Sequence, residues 1–440
     1  MRIKALYRSR ILPVFFLALC GSVFAQTLSL SVDDAVRLAL ENNSSVQRER
    51  LAESVARARS AASWNAFLPD ISLSAALRNV HELAGLDDPA RPDPTGTDLS
   101  ASAGIRLSLQ AGVGETLRQT ELEKNRAEIV RTDAEASVVR AVKTSYYAIV
   151  TEQRRLELYG KNLELAQREA AMVQKNYNAG LASELSLLQA QYAAASLEPD
   201  LLQARQEFAQ TLRAFNILLG IDPDTSVVFT DALDHNFPDV CLPGDVPERI
   251  ELRADVTTAR IARDAAVSRC RAGTLNRYAP SVTLSESAGV SDLQDGFSAP
   301  ETGTFTLSVA IPLNGYIPGS ETRIDAKELD AAVEKAEIAL KDARTEAREE
   351  IRSLFDTLNR LQKSIEITRL NETVAVRAYE LSREGYESGL VALTDLDEAR
   401  QKSLEARFSM LNAVYLYKAA LIELAYALTI EESELCVPGE

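Results

Sequence analysis

The chain has 440 residues, and its 48 Lys and Arg against 64 Asp and Glu give a formal net charge of −16. Arg2, Lys4, Arg8 and Arg10 sit in an N-terminal leader, so the remainder carries 44 basic groups against 64 acidic ones and lies near −20, which argues against nucleic acid and anionic membrane surfaces as partners. Four cysteines with no C-x-x-C spacing and two histidines, His81 and His235, argue against a zinc or haem cofactor.

In chain order, the basic stretch Met1 to Arg10, the mostly apolar run Ile11 to Phe24 and the small residues around Ala25 read as a secretory signal over residues 1–25. Cys20 offers a competing lipoprotein reading in which acylation anchors the protein, but the residue before it is the bulky Leu19, so cleavage after Ala25 is expected. No later segment approaches the roughly 18 uninterrupted apolar residues of a spanning helix. A membrane crossing would then fall to strands closed into a barrel.

A helix rich in Ala, Arg, Leu and Glu is predicted from about Val32 to Phe67, and Pro69 stops it. Ile71, Leu73, Ala75 and Leu77 then alternate with Ser72, Ser74, Ala76 and Arg78, the period of a half-apolar strand near 71–80. The polar insert from His81 to Ser100, with Pro89, Pro92 and Pro94, reads as an exposed loop. A returning strand near 103–112 carries Ile105, Leu107 and Leu109 on one side.

From Gly114 no proline occurs until Pro199, and Val139, Val142, Tyr146, Ile149, Leu156 and Leu163 follow coiled-coil spacing, interrupted at Gln153 and Gly160. A turn is expected near Gly180. A second seam follows at Ala194, Leu197, Leu201, Ala204, Phe208, Phe215 and Leu218, with Pro199 predicting a kink.

The same order returns over residues 241–440: a helix from about Pro247 to Tyr278, strands near 281–291 and 304–313, a long helix from about Ser320, a turn near Gly389 and a last helix with Leu404, Phe408, Leu411 and Tyr415. Pro69 and Pro280 stand 211 residues apart, and Tyr177 and Tyr386 stand 209 apart, each within a repeated motif. Two nearly equal offsets identify a duplication, with repeats at 26–240 and 241–440. Glu286 is out of character, since it falls in register with the apolar Val282, Leu284 and Val290. Either that strand carries a bulge or it crosses lipid only in part.

Helices this long form a column rather than a globule, and four strands cannot close a barrel, so their edges would leave backbone groups unpaired in lipid. Several copies must join.

The repeated order of helix, Pro, strand, loop, strand, long helix, Gly turn and helix resembles the TolC-like outer-membrane efflux proteins over essentially all of the chain after the leader. Leu30-Ser31-Val32-Asp33-Asp34-Ala35-Val36-Arg37-Leu38-Ala39-Leu40-Glu41-Asn42-Asn43 is similar to that family's N-terminal signature, and Tyr386-Glu387-Ser388-Gly389-Leu390 with Asp395 and Ala399 is similar to its hairpin-tip motif. The resemblance implies a mainly α fold with membrane β. It would be a homotrimer whose 12-stranded β-barrel in the outer membrane is continuous with a long periplasmic α-helical barrel. It also implies an exit duct serving a periplasmic adaptor and an inner-membrane transporter, without enzymatic activity.

Matched residue by residue, Asp395 and Glu398 fall where the family narrows its tunnel with acidic rings. The plain alternative is that acids in a first helical turn complement the dipole. Tyr386 matches a tyrosine that tethers neighbouring hairpins, but Val391 stands in the place of its arginine partner, and ordinary packing is the alternative. Gly180, Leu181, Gly389 and Leu390 match the adaptor-contacting tips, although glycines there also end helices. Val240-Cys241-Leu242-Pro243-Gly244 resembles Leu435-Cys436-Val437-Pro438-Gly439, and export permits a Cys241 to Cys436 disulfide. Two other readings compete: a periplasmic coiled-coil scaffold, which leaves the alternating strands without a role, and a hydrolase, for which no P-loop, nucleophile elbow or metal spacing is found.

Overall fold

In a computed structural model of the chain, the described residues are 28–80, 96–231, 240, 243–290 and 303–435. The leader, Cys20, Cys241 and Cys436 lie outside them, and so does most of the first polar insert.

The first repeat opens with strand β1 (Leu28–Leu30), helix α1 (Val32–Asn42) and helix α2 (Ser44–Ala61), followed by a short 3-10 turn. The single helix expected from Val32 to Phe67 is therefore divided. Asn43 sits in extended conformation, and its side chain accepts from the Ser45 and Val46 N–H groups, capping a new helix where the Asn-Asn-Ser-Ser run invites one. Strands β2 (Asp70–Val80) and β3 (Gly96–Leu109) follow, so β3 begins inside the stretch expected to be loop. Next comes α3 (Val113–Asn178), whose 66 residues span about 100 Å. The chain returns through α4 (Glu184–Ala195) and α5 (Leu197–Leu219), then β4 (Val227–Phe229). The kink expected at Pro199 takes the form of a break at Ser196, which leaves the proline in the first turn of α5 where its missing N–H is not needed.

The second repeat runs α6 (Val246–Leu252), α7 (Ala254–Tyr278), β5 (Ser281–Val290), β6 (Gly303–Ala310), α8 (Glu321–Glu387), α9 (Leu393–Leu428) and α10 (Glu432–Leu435). The divided first helix recurs, with Arg253 at the break between α6 and α7. The two breaks do the same work. The Asn43 side chain donates to the Leu218 carbonyl at 2.8 Å, and the Arg253 guanidinium donates to the Ala427 carbonyl at 3.2 Å, so each satisfies an orphan acceptor in the last turn of its repeat's final helix. The acceptors, Leu218 and Ala427, stand 209 residues apart.

Four of the strands form an antiparallel sheet in the order β2-β3-β5-β6, and β1 pairs with β4 in a separate parallel ladder. Its register puts Ile71, Ile105, Glu286 and Phe305 on one rung and Leu107, Leu284 and Leu307 on another. The rungs that share their face run from Leu109, Val282 and Val309 to Leu77 and Leu99. From Leu99 to Leu109 that apolar band covers about 33 Å along β3. Most of its side chains are exposed, Leu73 to 85 %, while Leu99, Leu107 and Val282 are partly covered. The opposite face carries Ser72, Ser74, Ser102, Ser285, Ser287 and Thr306. Pairing continues through Glu286 on both sides without a bulge, so this carboxylate stands in the apolar face by sequence rather than through a register fault.

The core lies at the waist, where the final helix of each repeat packs on the long helices. Tyr146, Ile149, Phe215 and Leu219 meet Ile351, Leu358, Tyr417, Leu424 and Leu428, all fully or almost fully buried. Tyr146 adds direction, because its hydroxyl donates to the Leu30 carbonyl at 2.9 Å and accepts from the Asp231 N–H at 3.2 Å, tying the β1–β4 pair to α3. No uninterrupted apolar run long enough to span a membrane occurs in α9, which Lys418 and Glu423 interrupt, although by length and mean composition it passes for a membrane span. Its apolar part is spent on this core: Val414, Tyr417, Leu421, Leu424 and Leu428 are buried.

Both final helices end in a left-handed residue, Gly220 at φ 73° and Thr429 at φ 57°, again 209 apart. A β-branched residue pays for that conformation, and the exposed Thr429 side chain recovers little. A Cβ on Gly220 would meet the Asn42 carbonyl oxygen at 2.5 Å. Thr429→Gly is therefore expected to stabilise the protein by roughly 0.5–1 kcal/mol and Gly220→Ala to destabilise it by more than about 1 kcal/mol, read as opposite shifts of the thermal midpoint in detergent.

Candidate functional site

The far ends of α3 and α8 are built alike. Leu181 N–H reaches back to the Asn176 carbonyl at 2.7 Å and Gly180 N–H to Tyr177 at 2.9 Å; Leu390 and Gly389 repeat this onto Gly385 and Tyr386 at 2.8 and 3.0 Å. These are Schellman closures, with Gly180 at φ 74° and Gly389 at φ 76°. Each closure leaves its leucine outside the turn, Leu181 79 % and Leu390 85 % exposed. Val391 lies against Gly385, where an added Cβ would meet its side chain at 2.5 Å.

Tyr386 is half-buried against Val173, Leu187 and Ala190, together with Leu393, so it packs the end of α8 onto the first hairpin. Burial raises its hydroxyl pKa.

Asp395 and Glu398 stand in the first two turns of α9, exposed, and the same face continues through Lys402, Glu405, Ser409 and Asn412. The opposite face is buried, with Leu396, Arg400, Ser403, Met410 and Val414. Glu398 is not a lone acid: Lys402 Nζ lies 2.6 Å from its Oε1, and that hydrogen bond holds its pKa below the usual carboxylate range. In the first hairpin the position matching Asp395 is Ser186, whose N–H is capped by the Ser183 hydroxyl at 3.1 Å.

One group of residues escaped the sequence reading. Arg400 is 3 % exposed and binds Asn162 Oδ1 at 2.9 Å, Glu169 at 3.4 Å and, in close contact, Asp397. Tyr379 donates to Glu169 at 3.1 Å. The cluster joins α3, α8 and α9 near the hairpin tips, beside a cavity of about 220 Å³ lined in part by Glu169, Tyr192, Thr394 and Asp397. Its signal was available: Arg400 falls on the same helical stripe as Leu396 and Ser403, and a cation on a core stripe requires buried acceptors. Burial raises the Glu169 pKa against the pull of Arg400, and burial with the neighbouring Glu169 pushes Tyr379 up to about 12. Among the described residues no cluster of His, Cys, Asp or Glu is set to hold a metal ion.

Removing Arg400 strands two acids, so Arg400→Met is expected to cost about 3–5 kcal/mol in urea unfolding. Because Glu169 titrates above its ordinary 4.5 in the folded state, its contribution is complete below that value and is lost as pH rises through the raised one. Glu169→Gln should therefore flatten the pH dependence of stability above about 4.5, and an unchanged profile would contradict this assignment.

The sequence model of the family described as outer membrane efflux protein matches residues 35–220 and 247–429. The toluene efflux pump outer membrane protein TtgI of Pseudomonas putida is 25 % identical over 355 residues, covering 73 % of both chains. The outer membrane protein TolC of Vibrio cholerae is 22 % identical over 446 residues, covering 97 % of both. Among solved structures, the Campylobacter jejuni CmeC outer membrane channel superposes with a TM-score of 0.76 at 17 % identity, covering 92 % of this chain and 88 % of that one. VceC from Vibrio cholerae gives 0.71 at 19 %, covering 90 % and 95 %. With both repeats matched and the fold shared along nearly the whole length, the chain belongs to the outer membrane efflux protein family.

Proposed function

We propose that three copies of this chain close into one conduit, with a 12-stranded barrel in the outer membrane continuous with a helical barrel in the periplasm. The duct receives cargo from an inner-membrane transporter through a periplasmic adaptor and performs no chemistry.

The observation that carries this reading is a pair of unfinished edges. In the sheet they are β2 and β6, each hydrogen-bonded on one side only. In the helices the neighbours run α2 and α4 beside α3, then α7 and α9, then α8. The first edge leaves Leu185, Leu188 and Tyr192 exposed on α4, and the second leaves Ile367, Leu370, Val374 and Leu381 exposed on α8. Two different apolar edges on one protomer favour a head-to-tail ring. Three copies of four strands give an even number within the range of membrane barrels. The sheet's apolar face suits lipid and its Ser-rich and Thr-rich face suits a water-filled lumen, a division for which a soluble scaffold has no use.

The exposed face of α9 is polar where those of α4 and α8 are apolar, which favours water beyond it rather than a neighbouring helix. Asp395 and Glu398 then narrow the tunnel by charge, with Tyr386 holding the hairpin from behind. The exposed Leu181 and Leu390, presented by Gly180 and Gly389, offer the adaptor its contact.

Leu370→Asp with Val374→Asp is expected to convert a trimer into monomers in analytical ultracentrifugation; a trimer that persists would remove the proposed seam. In planar bilayers, Asp395→Ala with Glu398→Ala should raise the open conductance severalfold, and a leak no larger than wild type would count against the acidic constriction.

A further inference from the structure

We propose that Lys402 sets the ion selectivity of the constriction by cancelling half of its carboxylate charge; this rests on the reading of Asp395 and Glu398 as tunnel-facing. Steps of three, four and three residues join Asp395, Glu398, Lys402 and Glu405, so one helical face carries them all. If the first two meet the axis, the third does as well. The four are exposed, while Leu396, Arg400 and Ser403 on the other side of α9 are buried, which fixes the rotation of the helix. The ammonium of Lys402 lies 2.6 Å from Glu398, and its pKa is raised by Glu398 first and by Glu405 as well.

The first hairpin supplies nothing to compete. With the repeat offset of 209, Glu398, Lys402 and Glu405 correspond to Gln189, Ala193 and Ser196, and α4 carries no charge from Ser186 to its end. Of the two returning helices, α9 alone sets the charge at this level. Each chain contributes two carboxylates and one ammonium to the narrow segment between Asp395 and Lys402, a net of one negative charge instead of two. An acidic ring without Lys402 would hold multivalent cations and obstruct cationic cargo. The lysine lowers that affinity and keeps the passage available to molecules of either sign.

The test is single-channel recording of the purified full-length protein in planar bilayers, with spermidine as trivalent probe at 0.1 M KCl and a KCl gradient across the bilayer for the reversal potential. Lys402→Gln is expected to shift the reversal potential toward potassium selectivity and to tighten spermidine block roughly tenfold, as three lost charges near a trivalent ion require at this screening. Glu398→Gln should weaken the block, Lys402→Arg should match wild type, and Glu398→Gln with Lys402→Gln should return close to it. Lys402→Cys, labelled in the assembled channel with 2-aminoethyl methanethiosulfonate beside an equally treated wild type, should regain wild-type block and thereby separates charge from folding. If Lys402→Gln behaves as wild type while Asp395→Asn weakens the block, the role of Lys402 is overturned and the acidic constriction stands. If neither substitution changes the block, both readings fall.

Discussion

A backbone N–H or C=O left without a partner in hydrocarbon costs several kcal/mol, and this one cost organises the protein. The sheet of each chain stops at β2 and β6 with ladders open on both sides. In the assembly we propose, further copies complete them, and the helices suit that arrangement. Their own apolar seams lie on the same two flanks, α4 below β2 and α8 below β6, so one arrangement of neighbours covers backbone and side chains together. Duplication makes this economical, since two similar repeats would line the proposed wall with a single set of packing rules.

Below the membrane the problem is different. Helices of 66 and 67 residues have little means of resisting sliding past one another unless something fixes their register. The waist does so by burial, with Tyr146 and Tyr417 at its centre. Toward the hairpin tips apolar contact thins to the small group around Val173, Leu187 and Ala190, and the ionic cluster of Arg400, Glu169 and Asp397 takes over. Such a cluster adds little net stability, because desolvation offsets much of the attraction, but it tolerates only one alignment of α3 with α9. The cluster ties Arg400 on the buried face of α9 to Asn162 and Glu169 on α3, opposite the charged face that we assign to the tunnel.

Much of the fold was legible in the sequence because its signals are periodic. Alternation found the strands, heptads found the long helices, and paired motifs exposed the duplication. The misses were local and mostly chemical. The break at Asn43 needed a capping side chain to be weighed against a continuing helical pattern, and the break at Arg253 carried no cap signal in its own residue type. Glu286 raised the thought of a bulge because polarity was used as a guide to register, whereas backbone pairing holds straight through it. Arg400 and Lys402 are not marked by residue type on a helix that carries charges of both signs. In both cases the position on the helical face, rather than the residue type, carried the information.

The two returning arms differ in one respect that follows from the break at Ser196. The first arm is two rods, α4 and α5, joined at a point with Pro199 just beyond it, while the second, α9, is a single rod of 36 residues. In the trimer we propose, jointed and unjointed staves would alternate, so the six-fold pseudo-symmetry would be broken in mechanical compliance. A bending load at the lower rim would then be taken up first at the three joints, leaving the three straight rods to transmit force toward the waist.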